Sequence, residues 1–121
     1  MVPAEYDLRV VFGEEFVREF CLFNYDDTND RSTDVPAPLF DTDVVISVKR
    51  YLADSQQTLY TWDSATDSRV TVTPHTGSFT LTLSVADVSV FTREHAYDVF
   101  LRAPEGMLCV IQGRIFPAYP V

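Results

Sequence analysis

From Arg69 to Phe116 the sequence alternates apolar and polar residues in short runs separated by turn formers. Arg69-Val-Thr-Val-Thr-Pro is followed by His75-Thr-Gly-Ser-Phe-Thr-Leu-Thr-Leu-Ser and by Glu94-His-Ala-Tyr-Asp-Val-Phe-Leu-Arg. Ala103-Pro-Glu-Gly then leads into Met107-Leu-Cys-Val-Ile-Gln-Gly-Arg-Ile-Phe. Successive side chains of a strand point to opposite faces, so a period of two sends one set into a core and the other to solvent or an interface. An amphipathic helix needs a period near 3.6, which these runs lack, so the second half predicts strands joined by turns.

The first half is less uniform. Tyr6-Asp-Leu-Arg-Val-Val-Phe reads as a strand closed by Gly13, where a turn forms without steric cost. The next segment is ambiguous: Phe16, Val17, Phe20 and Cys21 stand at helical spacing, whereas Phe16, Arg18, Phe20 and Leu22 alternate. We assign a strand because the segments C-terminal to it are strand-like. Residues 43–51 are β-branched, with Val44, Ile46 and Val48 on one face and Lys49 and Tyr51 on the other, which predicts a central strand. Thr58-Leu-Tyr-Thr-Trp alternates again, and Ser84 followed by Asp87 suits the N-terminus of a short helical turn. The expected fold is all-β: an antiparallel, immunoglobulin-like β-sandwich of about seven strands with at most one short helical turn. No Cys, Trp, Cys triplet stands at immunoglobulin spacing, so the expectation concerns architecture alone.

With 121 residues, 46% of them hydrophobic and 13% aromatic, the chain can fill one core. We expect a single domain over residues 1–121 with a short extended tail from residue 116. A balance of 18 acidic against 9 basic residues argues against a partner bound chiefly through phosphates, which requires clustered Lys and Arg. Neither a basic segment leading into an apolar one at the N-terminus nor an apolar run near membrane-spanning length is visible, so a soluble product without membrane partners is expected. Residues 24–40 read as a long polar loop. Within it Asp26, Asp27, Asn29, Asp30 and Asp34 invite a calcium reading, but the glycine and closing Glu of an EF-hand loop are missing. Solvated turn residues are the expectation, with no metal or cofactor.

Cys21 and Cys109 each lie in an apolar segment and are expected as buried free thiols; a disulfide would require neighbouring strands. Neither has zinc-ligand spacing. The only histidines, His75 and His95, sit beside a Thr-Gly turn and after Glu94, and no nucleophile elbow, phosphate-binding glycine loop or His-Glu-x-x-His occurs. Acidic residues are abundant, but abundance does not create a catalytic pair. An enzyme is therefore not expected. Tyr97 should bury its ring with the hydroxyl on a backbone partner, while Asp98, on the opposite face, should bond a neighbouring turn.

Contacts with other proteins are expected at the borders of the strand-rich region. Phe116-Pro-Ala-Tyr-Pro-Val is apolar and limited by proline, so Phe116, Pro117, Tyr119, Pro120 and Val121 are candidate interface residues. Pro36, Pro38, Leu39 and Phe40, at the end of the long loop, are others. Tyr60 and Trp62, two residues apart on one strand, form a candidate aromatic pair for stacking on a sugar or anchoring a protein interface, but the favoured expectation is that Trp62 fills the sandwich core.

The order Phe12-Gly-Glu-Glu-Phe, the valine-rich segment 43–51, Thr76-Gly-Ser-Phe-Thr-Leu-Thr-Leu-Ser, Ala96-Tyr-Asp-Val-Phe-Leu, Pro104-Glu-Gly and Val110-Ile-Gln-Gly-Arg-Ile resembles small virion proteins of tailed bacteriophages. These include the N-terminal β-sandwich domain of phage baseplate upper proteins. The resemblance covers most of the chain and rests on the order of short motifs. It implies a non-enzymatic structural component of the particle, at tail, baseplate, neck or capsid surface, made in the host cytoplasm. Such a component binds other virion proteins in many copies. Residues 24–40 are longer and more acidic than that pattern, and no fibre or receptor-binding segment follows, which favours an attached or joining module. A carbohydrate-binding module using Tyr60 and Trp62, or a small acidic inhibitor of a host factor suggested by the charge of −9, are the alternatives.

Overall fold

The computed structural model describes residues 3–24, 35–36, 38–51 and 58–119. Its strands, in chain order, are β1 (Ala4–Glu5), β2 (Leu8–Val11), β3 (Phe16–Cys21), β4 (Phe23–Asn24), β5 (Val35–Pro36), β6 (Asp43–Lys49), β7 (Thr58–Asp63), β8 (Val70–Thr73), β9 (Ser78–Leu83), β10 (His95–Ala103) and β11 (Gly106–Ala118). They form a six-stranded sheet in which β1 and β2 both lie on β11, followed by β10, β6 and β7, and a three-stranded sheet ordered β3, β9, β8. The small pair β4 and β5 stands apart. The all-β, two-sheet architecture expected from the alternation is present.

Alternation decides what enters the core. Val44, Ile46 and Val48 of β6 are buried, as are Tyr97 and Val99 of β10 and Ile111 and Ile115 of β11. From the small sheet they meet Phe16 and Phe20 of β3, Val70 of β8, and Phe79, Leu81 and Leu83 of β9. Phe20 stacks on Phe79 with ring centroids 4.9 Å apart. The outer face of the small sheet carries Thr71, Thr73, Thr80 and Thr82, as the polar half of the pattern requires. The ambiguous segment is a strand: Phe16 and Phe20 point inward, and Val17 and Glu19 face solvent.

One helical turn, α1 (Val85–Val88), closes the sandwich beside β9. Ser84 accepts from the Asp87 N–H, and the Asp87 carboxylate accepts from the Ser84 N–H, completing a capping box. Val88 and Phe91 after it are buried. A 3-10 turn over Pro74–Thr76 is also present, ended by Gly77 in the left-handed region at φ 63°. Among the described residues no helix is long and apolar enough to cross a membrane.

Two expectations need correction. Pairing is not antiparallel throughout, because β1 and β2 run parallel to β11 with one constant register, Ala4 opposite Ile111 and Leu8 opposite Ile115. Nor does a tail begin at Phe116, since Phe116, Pro117 and Ala118 continue β11 opposite Arg9, Val10 and Val11. The carbonyls of Gln112 and Ala118 accept from Tyr6 and Phe12 N–H at 3.0 and 2.8 Å, so even-numbered residues of this stretch bond toward the N-terminal strands. Pro117, which lacks an N–H, therefore turns its vacant position to the other side. There β10 has already ended, its last pair being His95 with Ile115. A proline fits a strand where no ladder bond is required of it.

Candidate interaction surface

Among the candidate loop residues, Leu39 is buried and donates its N–H to the Pro74 carbonyl at 3.0 Å, which ties the loop to the turn after β8. Phe40 is 53% exposed and stands edge-on against His75 with centroids 4.9 Å apart. Pro38 is exposed, and Pro36 belongs to β5, opposite Phe23. Pro38 and Leu39 share a groove of about 350 Å³ with Thr42, Leu101, Met107 and Leu108. Met107 and Leu108, 57% and 45% exposed, are surface apolar residues absent from the candidates named on sequence grounds. A signal was present: Met107-Leu-Cys-Val-Ile is apolar at five successive positions, more than one face of a strand can bury.

Glu105 lines this groove, whereas Asp41 and Asp43 line a separate cavity that shares Leu39 and Thr42 with it. Arg102 of β10 reaches across the large sheet, to Asp43 on β6 at 3.0 Å and to Asp63 on β7 at 2.7 Å. The guanidinium hydrogen bond holds the Asp63 carboxyl below the ordinary carboxylate range, helped by the Ala65 N–H.

At the opposite end of β11, Tyr119 is exposed and leans on Phe12 with centroids 5.7 Å apart. Phe116 and Pro117 are half-buried in the strand. Pro120 and Val121 lie outside the described residues, as does the acidic run at residues 25–34. β11 has 13 residues, so Met107 and Tyr119 stand about 40 Å apart along it at the usual rise of a strand.

The aromatic pair does not form a platform. Trp62 is 6% exposed, and its ring meets Phe91 edge-on at 6.2 Å, so it fills the core. Tyr60 packs on Trp62 at 6.5 Å and remains partly open at the edge of the sheet. A sugar-stacking surface needs a ring face free for the ligand, and Trp62 does not offer one.

Groups with possible chemistry are dispersed. His95 is buried with Nδ1 2.8 Å from the Arg93 carbonyl, its ring edge-on to Phe91, while His75 lies under Phe40. Asp98 pairs with Lys49 across the strands at 2.9 Å rather than with a turn. The cysteines are not buried as expected: Cys21 is exposed on the small sheet, and Cys109 is half-buried on the large one. Desolvation and the nearby Glu19 raise the Cys21 thiol pKa, and desolvation with Asp98 raises that of Cys109, the opposite of what an activated nucleophile requires. Among the described residues no group of three or more His, Cys, Asp or Glu side chains is placed to hold a metal. No protein-family model matches the chain, and no curated protein is similar to it.

Proposed function

We propose that this protein is a non-enzymatic structural component of a tailed-phage particle, a β-sandwich that joins other virion proteins and is present in many copies. The immunoglobulin-like character of the sandwich belongs to the same proposal. The observation that carries it is the groove where Leu39 meets Leu101, Met107 and Leu108, with Phe40 exposed nearby. Exposed apolar side chains around a shallow groove suit a protein contact. Tyr119 and Phe12, at the far end of β11, supply a second apolar contact, so one molecule can touch two neighbours. The order of short motifs from Phe12 to Ile115 supplies the phage context.

Quantitative mass spectrometry of purified particles tests this reading. The protein should be present in fixed ratio to the major structural proteins. Its absence from particles, with accumulation in the infected cell, would sink the proposal and favour an inhibitor of a host factor. Met107→Asp and Leu108→Asp together should leave the fold intact and lower incorporation at least tenfold.

A further inference from the structure

We infer that the cavity at the start of β10 is a binding site for one small oxyanion, a carboxylate, phosphate or sulfate group received between Arg50 and Arg114. Strand pairing brings its walls together. At the start of β10, Ala96 pairs with Lys49 at the end of β6 on one side and with Arg114 of β11 on the other. The chain leaving β6 therefore delivers Arg50 and Tyr51, and β11 delivers Arg114, to the segment Glu94–Ala96. Together these residues line a cavity of about 220 Å³. At about 30 Å³ for each water, it has room for several waters or for one such group. The methyl of Ala96 fills none of the space that a longer side chain would take.

Charge selects the occupant. Elsewhere carboxylates outnumber their cations: Arg102 is shared by Asp43 and Asp63, and Arg69 by Asp67 and Asp87. At this cavity the proportion is reversed, because Glu94 serves two guanidiniums. Its carboxylate pairs with Arg114 at 3.3 Å, whereas Arg50 donates to its backbone carbonyl. A carbonyl carries no net charge, so Glu94 does not neutralise Arg50, and among the described residues no carboxylate pairs with that guanidinium. Both arginines are held before a ligand arrives. Arg50 is fixed by the carbonyl and by the Tyr51 ring, whose centroid lies 4.8 Å from its Cζ, and Arg114 is fixed through Nε. The terminal nitrogens of Arg114 and the remaining N–H groups of Arg50 are left to donate, in the fork geometry that suits an oxyanion. Donors already in position lose little freedom on binding. The Arg114 side chain is 56% exposed and the chain carries a net charge of −9, so binding is weak and sensitive to salt.

The inference does not rest on the virion reading, and its test uses the isolated chain. Inorganic phosphate, sulfate and acetate are titrated to about 50 mM at constant ionic strength, set with chloride, and followed by two-dimensional NMR. The Nε–H signals of Arg50 and Arg114 and the Glu94 and Ala96 amides should shift together and saturate. Arg50→Gln and Arg114→Gln should each weaken binding at least fivefold, with circular dichroism confirming the fold. Arg102→Gln, at the far end of β10, changes the net charge equally and should leave binding unchanged. A short peptide ending in a free carboxylate separates the two sources of the ligand. Tighter binding of the peptide than of acetate assigns the site to a partner's carboxylate, and equal or weaker binding assigns it to a free anion; both outcomes support the site. No saturable shift with any of the anions, binding indifferent to both cavity variants, or an equal loss in Arg102→Gln would each overturn the proposal.

Discussion

Gly113 and Tyr6 approach so closely that only a residue without a side chain fits: a Cβ at position 113 would stand 2.0 Å from the Tyr6 carbonyl oxygen. Tyr97, opposite Gly113 in the ladder, donates its hydroxyl to the same carbonyl. The pairing of the N-terminal strands with β11 is interrupted at Tyr6 and Asp7 without a change of register, and this carbonyl would otherwise lose its partner there. Asp7 restores part of the ladder by accepting from the Arg114 N–H at 3.0 Å. Three separated segments are thus joined at one backbone oxygen.

Gly113→Ala should therefore be among the most damaging single substitutions, because the atom in the way is backbone and cannot rotate aside. A loss of about 3 kcal/mol or more is expected, read from the urea midpoint. Tyr97→Phe keeps the ring and removes the hydroxyl, leaving the Tyr6 carbonyl unpaired, for a cost of about 1–2 kcal/mol. A Gly113→Ala protein as stable as the parent would contradict the close approach.

Burial, aided by the nearby Asp7 carboxylate, raises the Tyr97 pKa above that of a free tyrosine. Its folded pKa is raised, so its contribution is fully present below the unfolded value near ~10 and is lost as pH climbs through the folded one. Tyr97→Phe should flatten the fall in stability above about pH 10. An unchanged alkaline profile would argue against a buried hydroxyl.

Asp63 and Asp87 have the opposite sign. Hydrogen bonds from Arg102 and Arg69 respectively lower their folded pKa values, so their contribution is present above the unfolded carboxylate value near ~4 and disappears as pH falls through the folded one. Both pairs are substantially exposed, so the effect is small and weakens with salt. Stability of Asp63→Asn, compared with the parent from pH 7 to about 2.5, should fall less steeply in the acid range.

The end of β11 separates a contact residue from a structural one. Removing residues 119–121 should leave the melting temperature nearly unchanged, because Tyr119 is exposed. Removing residues 116–121 also deletes the partners of Arg9, Val10 and Val11, together with the acceptor for the Phe12 N–H, and should lower stability by about 2 kcal/mol or more. Equal melting temperatures for the two truncations would show that β11 ends earlier.

Trp62→Ala should cost about 3–5 kcal/mol, since it empties the space against Phe91 and Ile46. The same protein titrated with oligosaccharides provides an independent check on the sugar reading. A stable Trp62→Ala variant that lost binding of a sugar held by the parent would revive that reading.

Features carried by a local pattern are legible in the sequence alone. Val44, Ile46 and Val48, Phe79, Leu81 and Leu83, and the Ser84–Asp87 cap arise from periods of two and from a short-range hydrogen bond, both set within a few residues. The placement of Leu39, Met107 and Leu108 in one groove is not legible there, because those residues are separated by more than half the chain.

The sequence by itself determined that the chain forms strands, which side of each strand is apolar, and where the turns fall, because alternation and turn chemistry act through the backbone of neighbouring residues. Only the tertiary structure decided the partners: that β1 and β2 lie parallel to β11, that Pro117 sits inside a strand, and that β7 stands at an edge among the described residues. Strand pairing joins residues remote in sequence, and an alternating pattern states that a face must be buried without stating against which strand.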